Sequence, residues 1–497
     1  MNKYIDATEE EINTAMQAAW DAFNVYRKYS LKRRADFMRA IAAEMEIIRN
    51  KVIPVAMEET HLPEPRLQSE FTRTIFQLNS YADYCEQGVW LDARIDTAIP
   101  ARNPPKPDLR KTLVPLGPVV VFGASNFPFA YSTAGGDTAC AFAAGCPVIV
   151  KAHPAHAETS ELVAAAINKA AKKSNLPTGI FTHIHGAGFE TGKTLVMHSY
   201  TKAVGFTGSY TGGKALFDMA NQRKEPIPVF AEMGSINPVY LLPEKLQQSA
   251  ADIARQYAAS VTLSVGQFCT NPGLIIGIDG DELQQFITAL GNEIKNIMPS
   301  PMLHPGIAKA FAVNRTKALT QSGVDTIAVA SATAKENDGI PTIASATAAA
   351  FLNNPVLHQE VFGPYSIVIR CKNADEMQLI VQHIEGQLTS TVIGTDNDIE
   401  LYKTLIDYIQ LTCGRLIFNG VPTGVEVCLS MQHGGPFPAT TDARFTSVGA
   451  DGIKRFARPV SYQNCPDIFL PEELKNKNPL GIWRTVNNEL TRDGVEV

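Results

Sequence analysis

The chain has 497 residues, more than one compact core holds, so two or three packed units are expected. Apolar residues make up 45% and charged residues 19%, the balance of a globular protein in water, and the net charge of -6 argues against binding nucleic acid or anionic lipid through a broad basic surface. The start, MNKYIDATEEE, is polar and acidic, and the longest largely apolar stretch, 134–150, carries Asp137 and three glycines, so neither a secretory leader nor a membrane span is expected.

In chain order, residues 8–60 have the apolar spacing of helices, and 64–92 continue it more weakly. Residues 98–110 hold four prolines, which exclude a helix and suit an edge strand or an extended arm. From Pro118 the pattern changes to short β-branched runs ending in glycine or a charge, separated by helical stretches. Strands are expected at 118–123, 146–151, 180–184 and 203–206, with helices at 131–144, 158–173 and 213–220. Strand and helix alternating in this way predict a parallel sheet with right-handed crossovers, a dinucleotide-binding half. After Pro228 the order begins again: strand 229–232, helix 246–263, strand 273–278, then strands at 366–370, 391–394 and 414–419. The Ala/Ser/Thr-rich segment 328–350 reads as a surface connection.

Eight cysteines lie at 85, 140, 146, 269, 371, 413, 428 and 465, none two residues from another, so a zinc knuckle or thioredoxin-like motif finds no support and no metal is expected. Dispersed thiols without a leader suit a reduced, cytoplasmic chain. Cys269, in Gly266-Gln-Phe-Cys269-Thr-Asn-Pro272, sits in a turn between a helix and a strand, where a thiol can face a cleft, although a cysteine so placed can equally be a small core residue. Glu232 ends an apolar strand beside a glycine, at the carboxyl edge where ligands bind in open α/β sheets. A carboxylate there can deprotonate a thiol or a water, or simply be solvated. Asn126 follows Gly123 and has an amide able to donate to an oxyanion. Lys151 and Thr207-Gly208-Ser209 end strands, the second running into a helix whose free amides and dipole suit a phosphate. The Gly-x-Gly-x-x-Gly fingerprint is absent.

Together Ser125-Asn-Phe-Pro128, Val150-Lys151, Gly205-Phe-Thr-Gly-Ser209, Glu232-Met-Gly, Gly266-Gln-Phe-Cys269 and Glu360-Val-Phe-Gly-Pro364 resemble, in order and rough spacing, the aldehyde dehydrogenase superfamily. The likeness runs from about residue 5 to 460. It implies an α/β fold with a Rossmann-type cofactor domain (1–96 and 116–232), a second α/β catalytic domain (233–440), and an oligomerisation arm and tail (97–115 and about 441–497). It implies Cys269 as nucleophile, Asn126 with the Cys269 amide as oxyanion hole, and Glu232 as the base that activates the hydrolytic water. Lys151 and Glu360 would hold the two cofactor riboses, Gly208 and Ser209 the pyrophosphate, and Phe362 the nicotinamide side. A base at Glu232 speaks against the branch that passes its acyl group to coenzyme A.

The stretches 115–130, 135–137, 151–154, 441–449 and 455–463 look like a bacterial subgroup whose members oxidise 2,5-dioxopentanoate, with a relative that takes fatty aldehydes. NAD-preferring relatives place a glutamate three residues after the ribose lysine; here it is Pro154, beside His153, so NADP is expected over NAD. The arginine that the subgroup often carries after Gly-Ser is here Tyr210, so the discrimination is expected to be modest. A substrate carboxylate would need a cation, with Arg444 and Arg455 as candidates. The arm implies a homodimer or homotetramer. A non-catalytic binding or structural descendant is the alternative from another class, and its mark would be loss of Cys269 or Glu232.

Overall fold

A computed structural model describes residues 4–495; the first three residues of the polar start and the last two of the tail lie outside it. Three long helices open the chain, Glu9–Tyr26, Leu31–Thr60 and Glu64–Gln87. The expected run over 8–60 is two helices because Ser30 caps a new start: its hydroxyl accepts from the Arg33 amide. Their apolar faces bury Phe37, Met38, Phe71 and Tyr81 against the helix Gly136–Ala144 and the sheet beneath it.

That sheet has five parallel strands in the order Phe181–Ile184, Val148–Lys151, Val119–Phe122, Ala203–Thr207, Val229–Glu232. Each strand is a short β-branched or apolar run, as a sheet covered on both faces requires. The helix expected at 131–144 starts only at Gly136. Residues 131–135 instead form a tight turn in which a Cβ on Gly135 would sit 2.6 Å from the Ala130 carbonyl oxygen.

A second sheet of seven strands runs Val324–Val329, Thr342–Thr347, Tyr365–Cys371, Leu274–Ile278, Val239–Leu241, Gln387–Ile393, Cys413–Phe418, parallel except for the first. The segment 328–350 is therefore not a surface connection. Thr342–Thr347 lies inside the sheet with five of its six residues buried, and its small side chains leave room for the layers packed on either face. Helices Asp281–Lys295, Pro305–Leu319 and Ala374–His383, for which the sequence raised no expectation, cover this sheet.

A third sheet joins residues 94–115 to residues 457–491: Ala457–Gln463, Leu109–Pro115, Arg94–Asp96, Arg484–Val486 and Glu489–Thr491, in that order. The proline-rich residues between Arg94–Asp96 and Leu109–Pro115 make one bridge, Ile99 to Lys106, around a turn. No helix among the described residues is long and apolar enough to cross a membrane.

Candidate active site

Cys269 follows the helix Pro243–Thr262 through a turn in which Ser264, Val265 and Gly266 all have positive φ (47°, 58° and 63°). A left-handed valine is costly, and it persists because the turn is held from two sides. A Cβ on Gly266 would lie 2.3 Å from the Gly363 carbonyl oxygen, so this glycine lets the cysteine loop meet the 360–364 segment backbone to backbone. The Asn271 amide adds a hydrogen bond to the same carbonyl at 3.1 Å. Asn237, buried between the sheets, donates to the carbonyls of Cys269 and Asn271, both at 2.9 Å. The thiol is thereby fixed from its own backbone.

Around the sulfur lie two of the expected groups and one that the sequence did not suggest. Glu232 ends its strand 2% exposed. Asn126 donates through Nδ2 to the Gln267 carbonyl at 3.1 Å, which ties it to the cysteine loop. The unforeseen group is His433, fully buried, with Nε2 3.5 Å from Cys269 Sγ and 3.0 Å from Glu232 Oε1. The Glu232 contact meets the distance of an ion pair but not the angle of a hydrogen bond. Ser447 donates to the other carboxylate oxygen and to the His433 carbonyl, tying the acid and the backbone of the histidine loop to one hydroxyl. The loop carrying His433 is clamped where 439–441 runs beside the strand Val229–Glu232: the Met233 amide donates to the Ala439 carbonyl at 2.8 Å and Thr441 pairs with Ala231.

The electrostatics follow from burial. Desolvation pushes the Cys269 thiol well above its usual range, and the charge of Glu232 pushes it further. Burial also works to raise the Glu232 carboxyl, but His433, Ser447 and Cys269 outweigh it and leave it below the usual carboxylate range. A resting thiol beside an ionised carboxylate and an imidazole is the composition of an activated nucleophile. Sulfur, imidazole nitrogen and carboxylate oxygen also lie within 4.8 Å of one another, which in donor type is a metal-ligand set.

The groups expected at the cofactor lie at the carboxyl ends of the five-stranded sheet and on the 360–362 segment. Lys151 is half-buried with no carboxylate at ion-pair distance among the described residues, and burial lowers its pKa. Burial raises Glu360 to about 8, and it too has no ion-pair partner among them. Ser209 caps the helix Tyr210–Asn221, accepting from the Gly212 amide at 3.2 Å. Cβ atoms on Gly208 and Gly212 would meet the Phe206 ring at 2.7 and 3.0 Å, so backbone rather than side chain lines the approach to that helix start. Two ionisable groups without ion-pair partners, and a helix start approached over glycine backbone, suit in type the ribose hydroxyls and pyrophosphate of a dinucleotide. His153 is different in character. Its Nδ1 accepts from the Ala155 amide at 3.1 Å and its pKa lies well below the usual value, mainly through burial, so it is a neutral ring and not a cation for a phosphate.

Neither arginine proposed for a substrate carboxylate is free. Arg455 is buried with Nη1 2.7 Å from Asp137 Oδ1, and Arg444 lies 81% exposed, bound to Asp442. The Arg455–Asp137 pair is structural. Asp137→Ala is expected to destabilise the fold by about 3–5 kcal/mol, because it strands a buried guanidinium, and urea unfolding measures it. A loss below 1 kcal/mol would mean the pair carries little.

Comparison with known proteins places this geometry. A family model described as "Aldehyde dehydrogenase family" matches residues 1–441. The chain is 48% identical to alpha-ketoglutaric semialdehyde dehydrogenase 2 of Azospirillum brasilense, over 96% of this chain and 91% of that one. It is 45% identical to alpha-ketoglutaric semialdehyde dehydrogenase of Acinetobacter baylyi, over 99% and 93%. Among solved structures, betaine aldehyde dehydrogenase from Staphylococcus aureus superposes with a TM-score of 0.77 at 18% identity, covering 93% of this chain and 90% of that one. A 1-pyrroline-5-carboxylate dehydrogenase gives 0.76 at 19%, covering 92% and 86%. At such identity the structural likeness speaks to the fold.

Proposed function

The chain belongs to the aldehyde dehydrogenase family, and from that premise we propose that it oxidises 2,5-dioxopentanoate to 2-oxoglutarate through a thioester on Cys269. The observation that carries the chemistry is the buried trio of Cys269, His433 and Glu232. The substrate rests on the two semialdehyde dehydrogenases, which are similar over nearly the full length of the chain.

In this reading the thiol proton leaves through Nε2 of His433, 3.5 Å from the sulfur, and Glu232 Oε1, 3.0 Å from the same nitrogen, offsets the positive charge that results. The thiolate attacks the aldehyde carbon. The resulting oxyanion accepts from the Asn126 amide and the Cys269 backbone N–H. Bound NAD(P)⁺ supplies the hydride acceptor. Lys151, Glu360, Gly208, Ser209 and Phe362 are the residues that would hold it. Glu232 then takes a proton from water, the hydroxide adds to the thioester carbon, and the C–S bond breaks to release the acid and the thiolate. In the same reading the described residues up to the strand Arg94–Asp96, together with 116–232, make the dinucleotide-binding unit and 233–440 the catalytic one. The free outer edge of Ala457–Gln463 supports a homodimer or homotetramer.

A panel of aldehydes followed through nicotinamide reduction tests the assignment. The expected result is kcat/KM for 2,5-dioxopentanoate at least about 100-fold above that for a long-chain aldehyde. Preference for the long chain would hand the site to fatty aldehydes, and no turnover of any aldehyde would favour a non-catalytic binding protein.

NADP is the proposed cofactor, since residue 154 is a proline opening the turn Pro154–His156 and offers no carboxylate against a 2′-phosphate. Neutral His153 and Tyr210 add no cation, so the preference is modest. Pro154→Glu is expected to lower kcat/KM for NADP by about 10- to 100-fold and leave NAD little changed. A wild-type enzyme favouring NAD tenfold would overturn this choice.

A further inference from the structure

The helix Glu64–Gln87 presents Arg66, Glu70 and Arg73 along one face, at spacings of four and three residues, toward the aromatic cluster beside the nucleophile. That cluster is Phe127, Tyr131 and Phe268, with Phe127 and Phe268 ring centroids 5.5 Å apart and Phe268 next to Cys269 in sequence. The two arginines differ in one respect. Arg66 lies over Phe127 and Phe268 but is neutralised, 2.7 Å from Glu70, and also donates to the Asn126 carbonyl. Glu70 is fully committed, since its other oxygen accepts from the Phe129 and Ala130 amides at 2.8 and 3.0 Å.

Arg73 therefore has no carboxylate at ion-pair distance among the described residues. Its guanidinium lies over Tyr131 at 5.4 Å and donates to the Tyr131 hydroxyl at 3.3 Å, and its Nε is buried without a partner. The Tyr131 ring stands 6.3 Å from that of His433, so one aromatic ring separates this unpaired cation from the nucleophile's imidazole. A half-buried guanidinium without an anion is costly to keep unless an anion arrives.

We infer that Arg73 and the Tyr131 hydroxyl form an anion subsite that takes the carboxylate of an aldehyde acid and so selects such substrates over neutral aldehydes. The inference rests on the proposed reaction at Cys269 and names what recognises the far end of its substrate. In 2,5-dioxopentanoate four carbon–carbon bonds separate the aldehyde carbon from the carboxylate carbon, so the cation belongs one ring away from the sulfur and not against it. The planar fork of arginine suits a carboxylate, and Tyr131, whose oxygen accepts from Arg73, keeps its own proton to donate. Arg415 adds a second positive charge that acts on both Tyr131 and Cys269, with its Nη atoms held by the Gly424 and Pro422 carbonyls at 3.0 and 2.7 Å.

The test is kcat and KM of wild type, Arg73→Gln, Arg73→Lys and Tyr131→Phe on 2,5-dioxopentanoate, 4-oxobutanoate and pentanal. Arg73→Gln is expected to lose about 100-fold in kcat/KM on the two acids, mostly through KM, against less than about threefold on pentanal, with Arg73→Lys in between. Tyr131→Phe should lose less than Arg73→Gln, again on the acids. Equal losses on all three substrates, or no loss on the acids, would overturn the subsite. If wild type favours 4-oxobutanoate over 2,5-dioxopentanoate and Arg73→Gln erases the preference for acids, the subsite stands and the proposed substrate falls. If wild type favours pentanal, both fall.

Discussion

A Cys269→Ala protein is expected to lose aldehyde oxidation by about 10⁵-fold or more while its melting temperature and its binding of NAD(P)H stay near wild type. The large loss follows from chemistry, because without sulfur no covalent adduct forms and the hydride has no tetrahedral precursor to leave. The small structural effect follows from packing. The residue is held through its carbonyl by Asn237, and its turn through Gly266 and Asn271, none of which touches the side chain. Pre-steady-state mixing and thermal melting measure the two effects. Residual turnover within about 100-fold of wild type would mean that another group carries the acyl intermediate.

Replacing Glu232 by glutamine separates the two halves of the reaction. The expected record is a burst of one reduced nicotinamide per active site, followed by a steady rate about 10²- to 10⁴-fold below wild type, since the thioester forms but its water lacks a base. The pH dependence has a definite sign. Glu232 is one of the causes that hold the Cys269 thiol above its usual range, so removing its charge lowers the thiol pKa. The rising limb of the kcat/KM profile then moves to lower pH in the variant. Disappearance of the burst would instead assign Glu232 to thiol activation through His433. A limb displaced to higher pH would contradict the electrostatic account of the thiol.

Cys269, Glu232 and Asn126 were legible because each stands at a boundary between a periodic run and a turn, in short stretches with a recognisable order. His433 was not. It lies in Met431-Gln-His-Gly-Gly-Pro436, inside an aperiodic region, 164 residues beyond the cysteine whose sulfur it faces. The available signal was the glycine pair: Cβ atoms there would meet Phe445 and Gln387 carbonyl oxygens at 2.8 and 2.1 Å, so the loop is packed tightly for a reason. Glycine pairs are common in loose turns, and only tertiary structure tells the two apart. Arg73 was hidden differently, as one charge among many on a helix whose neighbour is paired and whose own partner is missing. The strand Thr342–Thr347 was misread because Ala and Ser carry weak strand preference, and its burial comes from the sheet around it.

The sheet that joins residues 94–115 to residues 457–491 bears on how the molecule is made. Arg94–Asp96 is paired on one side by residues close in sequence and on the other by Arg484–Val486, nearly four hundred residues later. A ribosome delivers the first partner soon after the strand and the second only after nearly four hundred further residues, so one side of this strand waits through that stretch of synthesis with its amides and carbonyls open. Closure then depends on a segment whose anchor is Arg484, a buried guanidinium bonded to backbone carbonyls of residues 473, 475, 476 and 493. Chains interrupted before that anchor emerges would carry every residue of the nucleophilic trio and still present an unfinished sheet edge to their neighbours.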